Sequence, residues 1–288
     1  MNIGIIGAEN SHCATVAKLV NVNKAVRGVQ VTHVWGETRT FAVKAAEAGQ
    51  IPTIVRRPED MIGQVDGVMI DHRDGKFHLA VARKFVAARM PVFVDKPMST
   101  SLAEAKRFLA HRRQKRVPIC TMSSIPYHKD MPDLVRRLRK IGRLRLLRLS
   151  GPGDYKSKWG GIWFYGIHQV ELMIHLLGTA AQRASMTTNG TDSTAIVNYA
   201  DGLTVQMSFL VNAPYQFRVQ AVGHEGSLDW PMSHDPATVV ATTRIFTTMF
   251  RTKKEPFGNE RMLAPLAVLE AMAKSLKTGR AVKVAAVK

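Results

Sequence analysis

Two side chains in this sequence are of the right types to move a proton and steady a charge at neutral pH. Lys96 stands in Asp95-Lys96-Pro97, directly after the apolar run MPVFVD, and His168 stands in GIHQVE with Glu171 three residues on. A histidine, with an unperturbed pKa near ~6.5, exchanges a proton in either direction near neutrality. A lysine cation favours negative charge developing on a nearby oxygen. Taken alone, a histidine on an apolar helix is usually a satisfied core residue, and His168 and Glu171 share a helix face closely enough to pair with each other.

A third feature is the opening IIGAENSH, where a short apolar strand runs into Gly7 and then into a helix. Of the three glycines of a dinucleotide loop, G-x-G-x-x-G, only Gly7 is present, and Glu9 and His12 hold the other two positions. Glu9 sets a carboxylate where diphosphate charge would lie, and His12 sets a ring where helix should press on strand. Asn10 and Ser11 are good N-cap residues, and free N–H groups at a helix start attract anions. The loop from Gly7 through Ala8, Glu9, Asn10 and Ser11 to His12 is thus either a worn cofactor loop or a plain strand-to-helix turn. Further on, VWGET ends the second strand with Glu37 and Arg39, a glutamate suited to the ribose hydroxyls of NAD and an arginine suited to the 2′-phosphate of NADP. Both residues also read as helix-capping and solvating groups.

The elements that must position these residues alternate over the first 121 positions. Strands NIGII, VQVTHVW, PTIV, VDGVMID, MPVFVD and VPICT are separated by amphipathic helical stretches. That order predicts a doubly wound parallel sheet with helices on both faces, and it puts Asp95-Lys96-Pro97 at the carboxyl edge where such sheets bind ligands. Gly49 is read as a helix C-cap. From residue 122 the pattern changes to a helix (129–140), the strand RLRLLRLS, the helix IWFYGIHQVELMIHLLG, and hairpin runs with Asn189-Gly190 and Asp201-Gly202 as turns. The expected second domain, 122–288, is α+β with a mostly antiparallel open sheet.

Composition bounds the remaining classes. With 288 residues, 45% hydrophobic and 22% charged, the chain has an ordinary globular make-up. No apolar run is long enough to span a membrane and no signal peptide opens the chain, so a cytoplasmic protein with no membrane partner is expected. The 41 Lys+Arg against 22 Asp+Glu give a charge of +19, which attracts anions in general. Arg143, Arg145 and Arg148 interleave with leucines as one wet strand face would. No nucleic-acid-binding motif accompanies them, so nucleic acid is not expected as a partner. Cys13 and Cys120 are too few for a disulfide or zinc framework.

Taken in order, VDGVMID with a following helix bearing His78, then VFVDKPMSTSLAEAKRF, GGIWFYGIHQVELMIHLLG and SLKTGRAVKV resemble the Gfo/Idh/MocA oxidoreductases over nearly the whole chain. The resemblance implies a Rossmann-like domain followed by an α+β substrate and oligomerisation domain. It implies NAD or NADP as cofactor and a small-molecule substrate such as a polyol, sugar or sugar acid lying between the two domains. It also implies a homo-oligomer, dimer or tetramer, joined through outer sheet faces, where the three arginines would be unusual. The family's EKP lysine corresponds to Lys96, beside the reacting carbon, and its acid/base histidine to His168. Asp95, Lys96 and the loop bearing His72 would border the cofactor. Tyr155, Trp163, Tyr165 and Glu171 are candidates for the substrate wall. Departures are Asp95 for the EKP glutamate, Phe164 for an aspartate four residues before the histidine, and Glu171 for one three residues after it. They leave an alternative open, a redox-inactive family member acting as a ligand-binding or regulatory protein.

Other motifs are set aside. His72-Arg73-Asp74 spells a kinase triplet without the partners a kinase needs. Asn189-Gly190-Thr191 is read as a turn, Cys13 as a buried thiol, and the pair His168 and His175 lacks further ligands, so no metal site is expected.

Overall fold

The computed structural model describes residues 1–232 and 235–287. Its strands are β1 (Asn2–Ile6), β2 (Gln30–Trp35), β3 (Thr53–Ile54), β4 (Gly67–Ile70), β5 (Val92–Val94), β6 (Ile119–Cys120), β7 (Leu144–Pro152), β8 (Ala181–Asn189), β9 (Asp192–Tyr199), β10 (Thr204–Leu210), β11 (Phe217–Gly223), β12 (Ser227–Met232) and β13 (Val282–Lys283). The helices are α1 (Ser11–Ala17), α2 (Arg39–Gly49), α3 (His78–Ala87), α4 (Leu102–Lys115), α5 (Met131–Lys140), α6 (Ile162–Leu177), α7 (Ala237–Thr252) and α8 (Asn259–Thr278).

The first six strands form one parallel sheet in the order β3-β2-β1-β4-β5-β6. Ile3, Ile5, Ile6, Val68, Ile70, Val92 and Val94 are wholly buried, as strands covered on both faces by helices require. The order reverses between β1 and β4, where a doubly wound sheet opens a crevice at its carboxyl edge. Register fixes what lies there. Ile6 pairs with Ile70 and Ile70 with Val94, so residues 7–12, 71–74 and 95–97 leave the sheet side by side.

Local sequence sets the helix starts. Asn10, Thr38 and Ser101 accept N–H bonds from His12, Phe41 and Glu104 at the starts of α1, α2 and α4. The cap of α2 is Gln50, in the left-handed region at φ 47°, and not Gly49. Gly49 is needed for closeness instead: a Cβ there would lie 2.3 Å from that of Ala17 on α1.

The remaining strands form a seven-stranded sheet, β12-β11-β7-β10-β9-β8-β13, antiparallel except for β7 against β10. Both expected hairpins are present, with Gly190 and Gly202 at positive φ in the turns. Alternation along β7 buries Leu147 and Leu149 and exposes Arg148, which donates to Gln206 of β10, while Arg145 is exposed where the register against β11 shifts between Val222 and Gly223. Arg136 and Arg137 on α5 pair with Asp133, so much of the basic segment is a solvated, partly neutralised face.

Two compact units result: residues 1–122 with 237–258, and residues 123–236 with 259–288. The sequence expectation placed everything after 121 in the second domain. Helix α7 joins the first unit because Phe246 stacks on Phe93 of β5 at 4.6 Å and the Phe250 ring fills the space that Gly67 leaves by lacking a Cβ.

Candidate active site

The candidate residues fall on both units, and each half is built separately. At the carboxyl edge of the parallel sheet, Gly7 (φ 114°) turns the chain hard against the next loop: a Cβ there would stand 2.5 Å from the Asp71 and His72 backbone. The turn delivers Asn10, itself buried, onto two carboxylates. Its Nδ2 donates to Asp71 Oδ1 at 3.0 Å and to Asp95 Oδ2 at 3.3 Å. The His12 ring does not press on the strand as the sequence expectation had it. Its Nδ1 turns to Asp95 Oδ2 at 3.2 Å, while Cys13, Val16 and Ala17 form the buried face of α1. Lys96, only 7% exposed, holds its Nζ 3.5 Å from the same Asp95 oxygen.

Electrostatics divide the two buried carboxyls. Burial and then the Asp95 charge push the Asp71 carboxyl well above the usual carboxylate range. Burial works the same way on Asp95, but Lys96 and then His12 override it and hold that carboxyl well below its usual range. Asp95 is therefore the charged member, and Asp71 Oδ2 is buried without a hydrogen-bond partner. His78, wholly buried on α3, pins the neighbouring loops together, with Nδ1 2.9 Å from the Pro97 carbonyl and Nε2 2.7 Å from that of His72. The His72 ring lies 5.7 Å from that of Trp35, and burial, then His78, push its pKa down to about 4, so it stays neutral at pH 7.

Glu37 fits a dinucleotide. Its Oε2 accepts the Glu9 N–H at 2.9 Å, which braces the loop, and its Oε1 is buried without a hydrogen-bond partner. Burial raises this carboxyl, and N–H bonds from Glu37, Glu9 and Ala8 oppose that rise. Gly36 keeps the same corner open, since a Cβ there would meet Ala8 at 2.9 Å. Arg39 is exposed at the first position of α2, Ser11 is exposed, and Glu9 is half-buried.

The second unit supplies His168, 4% exposed on α6. Its Nδ1 lies 2.7 Å from Ser123 Oγ, which also accepts the Ile125 N–H. Phe217 and Tyr165 flank the ring at 5.8 and 5.7 Å, and Tyr215 edges onto both of those aromatics. Sequence reasoning missed Ser123, Tyr215 and Phe217: the first two carry no periodic or motif signal, and the alternation of FRVQAV marks Phe217 only as an inward strand residue. It also missed Asp71. Of the proposed wall residues, Tyr165 joins the aromatic group. Tyr155 donates its hydroxyl to the Gly190 carbonyl, and Trp163 is buried. Glu171 pairs with Arg261 of α8 at 3.0 Å. Phe164, where the family pattern has an aspartate, packs edge-on against Tyr165.

Residues 1–122 match the Gfo/Idh/MocA profile, described as an oxidoreductase family with an NAD-binding Rossmann fold. Inositol 2-dehydrogenase 1 of Saccharopolyspora erythraea is 26% identical over 271 residues, 82% of this chain and 73% of that protein. A Salmonella typhimurium protein provisionally named oxidoreductase YceM is 26% identical over 196 residues, 65% of this chain, and the match spans only 60% of its own length. Among solved structures, myo-inositol dehydrogenase from Lactobacillus casei in complex with NAD(H) and myo-inositol aligns with a TM-score of 0.86 at 18% identity, covering 100% of this chain and 98% of that one. An oxidoreductase from Agrobacterium radiobacter in complex with NAD+, L-tartaric acid and magnesium aligns at 0.81 and 15%, covering 99% and 98%. At such identities the structural likeness establishes the fold. Among the described residues, no helix is long and apolar enough to cross a membrane.

Proposed function

Because its N-terminal domain belongs to the Gfo/Idh/MocA oxidoreductases, an NAD-binding Rossmann family, we propose that this protein interconverts a CH–OH group and a carbonyl on a small polyol, sugar or sugar acid. The nicotinamide, when bound, supplies the hydride acceptor or donor. Lys96 orients the substrate oxygen and stabilises its negative charge. His168 takes or returns the hydroxyl proton. Tyr165, Tyr215 and Phe217 offer ring faces to a carbon skeleton. The inositol and tartaric acid bound by the structural relatives are small polyhydroxylated molecules, which supports that substrate class.

The observation that carries the reading is Lys96, a buried ammonium fixed by Asp95 at the carboxyl edge of a Rossmann sheet. Burying a lysine is costly unless it is paired, and an enzyme of this class uses one where an alkoxide develops. Glu37, with a free buried oxygen, favours NAD over NADP, because a 2′-phosphate there would face a carboxylate. A homo-oligomer built through the outer sheet face would cover the Arg148–Gln206 bond and the Arg218–Asp229 pair.

The test is to titrate purified protein with NADH and NADPH, following cofactor fluorescence, and then to assay polyols and sugar acids for nicotinamide reduction. Binding of NADH followed by turnover of one of them is the expected result. Absence of binding by either cofactor at millimolar concentration overturns the reading. Binding without turnover points instead to a ligand-binding member of the family, which the Glu9 and His12 replacements and Phe164 would suit.

A further inference from the structure

We propose that His12, Asp71 and Asp95 form a divalent-cation site at the carboxyl edge of the parallel sheet. One imidazole nitrogen and two carboxylate oxygens lie within 4.8 Å of one another, and they form the one such group among the described residues. His12 Nδ1 is 3.2 Å from Asp95 Oδ2 and 3.9 Å from Asp71 Oδ1. Donors bonded at about 2.0–2.2 Å to a common ion stand about 3–4 Å apart, so the three need little rearrangement to share one.

The cluster alone would be a buried network. The second observation is Asp71 itself, which is wholly buried and has one carboxylate oxygen, Oδ2, without any partner. Orphaned buried oxygens are rare and costly, and a bound ion is one of the few things that accounts for them. His12 is 31% exposed, so a path for the ion reaches the cluster from solvent. Asn10, donating to both carboxylates, orients them from behind as an outer-shell partner. One imidazole with two carboxylates suits manganese, iron or zinc rather than a soft ion. The site also explains the replaced loop glycine: His12 supplies a ligand where the dinucleotide pattern has no side chain.

The inference does not depend on the proposed activity, because its test uses neither cofactor nor substrate. Chelator-stripped protein is titrated with Mn²⁺, and free ion is read by electron paramagnetic resonance. Saturation at one ion per chain is expected. His12→Gln and Asp71→Asn should each weaken binding by ~10-fold or more, on the scale of losing a ligand or its support, with folding checked by circular dichroism. Lys96→Met, which removes the competing cation, should tighten it. If Asp71→Asn does not fold, the opposite responses of His12→Gln and Lys96→Met decide the matter. No saturable binding at millimolar Mn²⁺, or binding indifferent to these variants, overturns the site.

Discussion

Ser123 Oγ stands 2.7 Å from His168 Nδ1 and accepts the backbone N–H of Ile125. The serine hydroxyl is thereby held in place, and it can still donate to a bare Nδ1 or accept from a protonated one. The ring stays oriented through both protonation states that proton exchange demands. If His168 exchanges the substrate proton as proposed, Ser123 is a positioning residue, so Ser123→Ala should lower kcat ~10-fold with little change in KM, while His168→Ala should lower it by ~10²-fold or more. The acid limb of the kcat pH profile should also move in Ser123→Ala, and Ser123→Thr should restore it. A change confined to KM would mean that the serine only shapes the substrate pocket.

The carboxylate of Glu37 braces the loop through the Glu9 N–H and keeps Oε1 free. Hydrogen bonds to a charged group are worth about 1.5–3 kcal/mol, so Glu37→Ala should weaken NADH binding by ~10- to 100-fold. It should weaken NADPH far less, narrowing the gap between the two cofactors. A wild-type protein that prefers NADPH in direct titration would remove Glu37 from this role and shift attention to Arg39.

Glu171 was a candidate substrate residue by its spacing from His168. Its carboxylate instead meets Arg261 of α8 and is only 4% exposed. Removing one partner of a buried pair strands the other charge, at about 3 kcal/mol or more. Arg261→Ala should therefore lower the urea midpoint clearly, whereas Arg261→Lys, which keeps the charge and loses the planar fork, should recover only part of the loss. An unchanged midpoint would show that Glu171 finds another donor.

The sheet order, the hairpin turns and the place of Asp95-Lys96-Pro97 were legible because they follow from local patterns: apolar runs, turn dipeptides and the alternation of strand with helix. The loop 7–12 was legible as a loop but not as chemistry. Its decisive partners, Asp71 for Asn10 and Asp95 for His12, are 61 and 83 residues away, and no spacing rule reaches that far. Ser123 and Asp71 were missed for the same reason. Helix α7 was hidden by composition, since ATVVATTRIFTTMFRT is rich in β-branched residues with low helix propensity. Its threonines settle into the helix by bonding back to carbonyls: Thr243 to Val239, Thr247 to Thr243 and Thr252 to Thr248.

Packing keeps that low-propensity segment helical, and the packing is specific. Phe246 stacks on Phe93 at an interplanar angle of 16°, touches Phe250 at 5.5 Å, and is 1% exposed. Phe246→Ala should cost about 3–5 kcal/mol through lost transfer energy and the cavity left behind. The loss should appear within the first unit, because Phe93 belongs to β5, two residues before Asp95. Hydrogen exchange should then show faster opening at residues 92–94 and 240–250 than at β9 and β10 of the other sheet. Uniform acceleration of exchange across both sheets would mean that α7 is not a part of the first unit's core alone.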